Sequence, residues 1–321
     1  MTDRTAPTSL QRARAWAAAS ALLLGVVALL LVFSLLNDAF LTVDNFRNVF
    51  IQASVISVVA VPMALLLIAG KVDLSVGSTL ALGAVVTGLL ITDGFPVLPA
   101  ILAGVLAGAV VGVVNGLLVE LWSLSPIIVT LGALTAVRGL ALTLAPDPVF
   151  GFPDSFLALG EDRLFGVPYL VLIAAAAFLV GAAVLARMPT GRHVYAIGVN
   201  AEAAYLSGVR VKRVGLWLFV ATGAAAGLAG VMLAARLGSA PSGALGVGFE
   251  LDVLTAVILG GVAFSGGRGT IAGVFLGVLF LGVLQNGLTL ENVPAATALM
   301  VKGAVLAVAA GLDRVAMRSE R

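Results

Sequence analysis

The sequence predicts an all-α fold: a polytopic transmembrane helical bundle of about ten segments, some broken or re-entrant, with both termini cytoplasmic. Three observations predict it. Of 321 residues, 61% are hydrophobic and only 11% charged. Soluble domains carry about 25% charged residues, so no water-soluble packing would hide this much apolar surface. Ten apolar segments can be drawn, at roughly 16–36, 46–69, 75–92, 97–121, 125–145, 167–187, 214–236, 251–263, 268–290 and 294–312. The positive charges are also unevenly shared between the two sides that these segments define.

In chain order, a basic N-terminus (residues 1–15) precedes one transmembrane region (16–312), and a basic tail (313–321) follows it. The first apolar run, Trp16–Leu36, exceeds a signal-peptide core and reaches the roughly 20 residues that cross a bilayer, so it reads as a retained span. Pro62, Pro126 and many glycines interrupt later segments, and 251–263 is short for a straight crossing. Broken segments hold only where protein or a cavity surrounds them, which points to a core with a pathway.

With the N-terminus inside, eleven of the 18 Lys and Arg fall inside, in residues 1–15, 187–213 and the tail. Asp38, Asp44, Asp93, Asp147, Asp154, Glu161, Asp162, Glu250 and Glu291 fall on the opposite side. The largest outer segment, 146–166, carries three prolines and Phe150, Phe152 and Phe156 among its acids. It is long enough for a small structured cap.

The composition excludes several chemistries. There is no Cys and one His, His193, so thiolate nucleophiles and a histidine metal cluster are ruled out within the chain. No GxxxxGK[ST], HExxH or GxSxG occurs. The basic residues are dispersed along one membrane face, which gives nucleic acid no focused patch.

Five features stand out. The first is the polar stretch 188–213, containing a short helix with readable ends. Asn200 can cap its first turn, Glu202 suits that turn's positive end, and Gly208 can close it in the left-handed conformation. Ala204, Tyr205 and Leu206 lie between. Such a helix suits docking into a groove on a soluble partner, or it lies against the membrane as a loop helix; spacing leaves both open. The second is Gly70–Ser78, GKVDLSVGS, with Lys71, Asp73, Ser75 and Ser78 between apolar segments. Acids at bilayer depth mark function by default, whereas a capping Asp at an inner turn is structural. The third is the stripe Gly104, Gly108, Gly112 and Gly116, which allows close helix–helix contact.

The fourth is Gly260–Thr270, GGVAFSGGRGT. Its GxGxxA spacing lacks the strand and βαβ context of a dinucleotide site, so it reads as a glycine-rich break between half-spans. The fifth is the set of isolated polar groups inside spans: Asn115, Glu120, Thr130, Arg138, Gln285, Asn286 and Lys302. Asn115–Gly116 and Asn286–Gly287 each follow a glycine-containing polar turn, a weak sign of internal duplication.

Taken together, GKVDLSVGS (70–78), SPIIVTLGAL (125–134) with Arg138 and Gly139, TGRHVYAIGVNAEAAYLSGVRVKRV (190–214) and LTAVILGGVAFSGGRGTIAGVFLG (254–277) resemble the permease subunits of ribose-type sugar importers powered by ATP-binding cassettes. The resemblance covers roughly residues 46–312. It implies an inner-membrane permease pairing with an identical or related second permease. It implies partner ATPase chains on the inner face, which hold the ATP and Mg; this chain binds no cofactor and no nucleic acid. It implies a monosaccharide handed over by an extracytoplasmic binding protein, with Asn200, Glu202, Ala204, Tyr205, Leu206 and Gly208 as the ATPase-coupling helix. Asp73, Ser75, Ser78, Asn115 and Asn286 are the candidates for lining or gating the pathway. The segment Ala145–Gly166 departs from the family's pattern. A branched-chain amino acid permease is the alternative of related architecture. An ion-coupled secondary transporter would want carboxylates deep in spans.

Overall fold

The computed structural model describes the backbone of residues 9–318 and the side chains of residues 22–309 and 311. The basic residues of 1–15 and 313–321 lie outside the described side chains. Thirteen helices are formed among the described residues: α1 (Ser9–Leu36), α2 (Val43–Ile68), α3 (Val76–Thr92), α4 (Val97–Glu120), α5 (Pro126–Leu144), α6 (Asp154–Glu161), α7 (Tyr169–Arg187), α8 (Pro189–Val199), α9 (Ala201–Leu206), α10 (Val211–Leu237), α11 (Phe249–Leu259), α12 (Ile271–Leu290) and α13 (Ala295–Arg318). A hairpin, β1 (Arg163–Leu164) and β2 (Val167–Pro168), pairs Arg163 with Pro168 and Leu164 with Val167.

Each of the ten apolar segments holds one helix, and among the described residues six helices are long and apolar enough to cross a membrane. Local chemistry sets many of the ends. Thr42 and Thr270 accept hydrogen bonds from the backbone N–H groups of Asn45 and Gly273, capping α2 and α12. Pro126 opens α5, where its missing N–H costs nothing.

α2 and α10 form the centre. α2 is enclosed along most of its length, with Val59, Ala60, Met63 and Ala64 fully buried. α10 packs on α4, α3 and α2. The glycine stripe of α4 faces α10 and α3, while Leu98, Leu102 and Leu106 are exposed on α4's other side. Gly227 of α10 stands where three helices meet. A methyl group built on Gly83 of α3 would come 2.7 Å from its Cα, and one on Gly108 of α4 would come 2.9 Å from it. Only glycines let these backbones approach so closely.

The segment 146–166 forms a cap from α6 and the hairpin. Phe152 and Phe156 are buried with their rings 5.0 Å apart, while Phe150 and Phe165 stay exposed. On charge pattern alone, residues 237–250 connect spans at the acidic face and Glu250 sits at the rim. The structure differs. Ala240 and Val149 exchange backbone hydrogen bonds, Ser242 donates to the Ala145 carbonyl at 2.7 Å, and the chain then folds inward until Gly246 abuts Gly77. Glu250 lies in the first turn of α11, half-buried beside Gly77. Gly238, Gly246 and Gly248 adopt positive φ, which gives this stretch the tight turns it needs. α11, with 11 residues, is about 16 Å long, half a bilayer core. Segment 238–259 is therefore a discontinuous passage, part turn and part helix.

Candidate functional site

The polar groups scattered through the spans gather into joints between segments. The first joint is the α2–α3 break. Gly70, at φ 76°, turns the chain out of α2. Asp73 is buried and accepts from the Ser75 backbone N–H at 2.8 Å and the Ser75 hydroxyl at 2.6 Å. Asn115 of α4 donates to the Ser75 hydroxyl at 2.9 Å and, more distantly, approaches both Asp73 oxygens. Ser78 donates back to the Ser75 carbonyl at 2.9 Å. Asp73, Ser75, Ser78 and Asn115 are thus one cluster, closed off in this conformation. Asn286 is elsewhere: it exchanges amide hydrogen bonds of 2.8 and 2.9 Å with Asn45 of α2. The two Asn–Gly pairs do not play parallel parts.

The second joint is centred on Arg138 of α5. Its guanidinium donates to the carbonyls of Ser242 at 2.7 Å and Leu245 at 2.6 Å, and more distantly to that of Gly77. Inward-folded backbone carries carbonyls that no helix satisfies, and an arginine fork supplies the donors. The third joint is the ion pair of Lys71 and Glu120, which touches Gly215 near the start of α10.

The fourth joint is the Gly260–Thr270 turn, which docks on the end of α2. The Gly267 backbone N–H donates to the Ile68 carbonyl at 2.8 Å. The Tyr195 hydroxyl of α8 donates to the Gly269 carbonyl at 2.7 Å. Burial pushes the Tyr195 hydroxyl above its ordinary pKa, so it stays protonated and a donor through neutral pH.

These joints place the 188–213 stretch. Asn200 accepts from the Ala203 backbone N–H at 2.9 Å, Glu202 lies in the first turn of α9, and Gly208 takes φ 86° just past its end. Ala204 is buried, whereas Tyr205 and Leu206 are 69% and 79% exposed. The helix before it, α8, is not foreseen by the cap signals. Its Gly198 fits so closely against the Ile68 carbonyl and the Gly267 amide that a side chain there would collide with both. The helix after it, α10, meets Lys71 at Gly215. Both flanks of α9 therefore rest on the same break, residues 68–71.

Lys71 with Glu120, and Asp252 with Lys302 at 2.8 Å, are ion pairs that sequence reasoning does not find. The partners lie 49 and 50 residues apart, beyond any local spacing rule. The only signal is that each is an ionic group in an apolar setting.

Known proteins give this geometry a context. The sequence profile of the family described as branched-chain amino acid transport system / permease component matches residues 45–310. The ribose import permease protein of Bacillus subtilis is 42% identical over 295 residues, 91% of each chain. The L-arabinose ABC transporter permease protein of Azospirillum brasilense is 38% identical, covering 92% of this chain and 89% of that one. The D-allose transport system permease protein of Escherichia coli is 36% identical, covering 88% and 87%. No solved structure matches the chain.

Proposed function

Because the chain belongs to the branched-chain amino acid transport system / permease component family, we propose that it is the membrane-spanning subunit of an ATP-driven importer that carries a monosaccharide across a bacterial inner membrane. The family's description names amino acids, but the relatives set out above are named for ribose, L-arabinose and D-allose at 36–42% identity over most of the chain. The sugar reading is favoured for that reason. ATP and Mg belong to partner ATPase chains, affinity for the sugar belongs to an extracytoplasmic binding protein, and a second permease completes the pathway.

The observation that carries the mechanism is the seating of α9. A short capped helix presents Tyr205 and Leu206 outward, and its two flanks bear on the α2–α3 break. Side chains this apolar and this exposed on a basic face suit the groove of a soluble partner. Movement of α9 by an ATPase would reach Ile68 through Gly198 and Lys71 through Gly215. Asp73, Ser75, Ser78 and Asn115 would then act as the gate's joint. In this scheme the basic face is cytoplasmic.

The test is uptake in cells that depend on this chain, with labelled D-ribose, L-arabinose, D-allose and L-leucine offered separately. Sugar uptake without leucine uptake is expected. Tyr205→Asp with Leu206→Asp should lower uptake at least tenfold while the chain remains in the membrane. Undiminished uptake in that variant would remove α9 from the coupling role, and leucine uptake would revive the amino acid alternative.

A further inference from the structure

Among the described residues, one recess brings unexplained polar groups together inside the bundle. It lies between α2, α11, α12 and α13, has a volume of about 90 Å³ and is lined by Gln52, Ile56, Asp252, Gly282, Gln285 and Lys302 among others. Asp252 and Lys302 pair at 2.8 Å and are 23% and 21% exposed. Gln285 makes one side-chain contact, a long one of 3.3 Å from its amide nitrogen to Thr289. No hydrogen bond ties the Gln52 carboxamide to another described residue.

The depth of these groups matters. Gln52 lies nine positions into α2, about 14 Å from its acidic-face end. Lys302 lies seven positions into α13, about 10 Å from its start. Ionic and amide groups at such depth are costly against lipid tails. The open side of the recess therefore faces water or protein, not lipid.

We propose that this recess is a contact station for the sugar on its way through the permease, an inference that rests on the sugar reading above. The chemistry selects the ligand class. Asp252 and Lys302 cancel each other's charge, so the site offers no net attraction to an ion, and the sugar reading above favours a neutral ligand over a zwitterion. The two carboxamides each carry both donors and an acceptor, the carboxylate accepts, and the ammonium donates. Hydroxyls both donate and accept, so a neutral polyol satisfies all four groups at once. The apolar floor, Ile56 and Gly282, suits one C–H face of a ring. The volume admits part of a pentose-sized ring, in keeping with brief contact and not tight capture.

The test pairs lost side chains with lost hydroxyls. Gln52→Leu and Gln285→Leu are expressed in cells lacking the parental copy. Maximal uptake is measured for whichever of D-ribose, L-arabinose and D-allose enters, and for its singly deoxygenated analogues. The binding protein's preferences are common to parent and variant and cancel. The expected result is coupling: one analogue that the parent carries about fivefold more slowly than the full sugar is carried equally well or badly with it by the variant. A deoxy effect of the same size in parent and variants would overturn the station. If none of the sugars enters by way of this chain, the sugar reading fails first, and the station with it.

Discussion

At the scale of single residues, the Lys71–Glu120 pair is the most exacting feature. Both side chains are largely buried, and Gly215 leaves them no spare room. A buried pair offsets its own desolvation only while both members are present. Removing one leaves an uncompensated charge and costs about 3–5 kcal/mol, whereas replacing both by apolar groups of similar size is close to neutral. Lys71→Met should therefore lower the unfolding temperature in detergent sharply, and Lys71→Met with Glu120→Met should recover most of that loss. If the double variant is as unstable as the single one, the pair is not acting as a unit. The double variant should still transport poorly if the pair holds α10 to the α2–α3 break during the cycle, because an apolar contact lacks the pair's directional hold.

At the scale of elements, what was readable in the sequence divides along a physical line. Signals that reside within one helix could be read. The stripe of Gly104, Gly108, Gly112 and Gly116 announces a close-packed face, and Asn200 and Gly208 announce the ends of α9. Signals that depend on the approach of distant segments could not. The inward path of residues 238–248 resembles any glycine-rich connection, because what holds it is Arg138, some 104 positions away from Ser242. α8 is not legible from end signals because no side chain caps its start, and what seats it is the fit of Gly198 against Ile68 and Gly267, far away in the chain. Packing gives the glycines unequal weights, which a substitution series can measure. Gly227→Val should cost at least the 1–3 kcal/mol typical of overpacking, since α3 and α4 both press on it. Gly132→Ala, in α5, meets nothing within 4 Å and should be neutral or slightly stabilising by helix propensity. Thermal unfolding of the purified variants would rank them, and equal effects at the two positions would contradict the three-helix junction.

At the scale of the whole molecule, the remaining issue is which way the bundle sits in the bilayer. The basic stretch 187–213 and the acidic cap at 146–166 lie at opposite ends of α7, so a single crossing separates them. Positive charge is retained on the cytoplasmic side, a rule that predicts α9 inside and the hairpin outside. The chain contains no cysteine, so each introduced thiol reports without background. Phe165, at the hairpin tip, is 97% exposed and Leu206 is 79% exposed, so cysteine at either position disturbs little packing. In right-side-out vesicles, a membrane-impermeant maleimide should label Phe165→Cys and spare Leu206→Cys. In inside-out vesicles the pattern should reverse, and added partner ATPase should then protect Leu206→Cys but leave labelling at Met188→Cys, before α8, less affected. Labelling of Leu206→Cys from outside would turn the bundle over. An ATPase on the cytosolic side could not then reach α9, and the coupling proposed to run through residues 68–71 would have no driver.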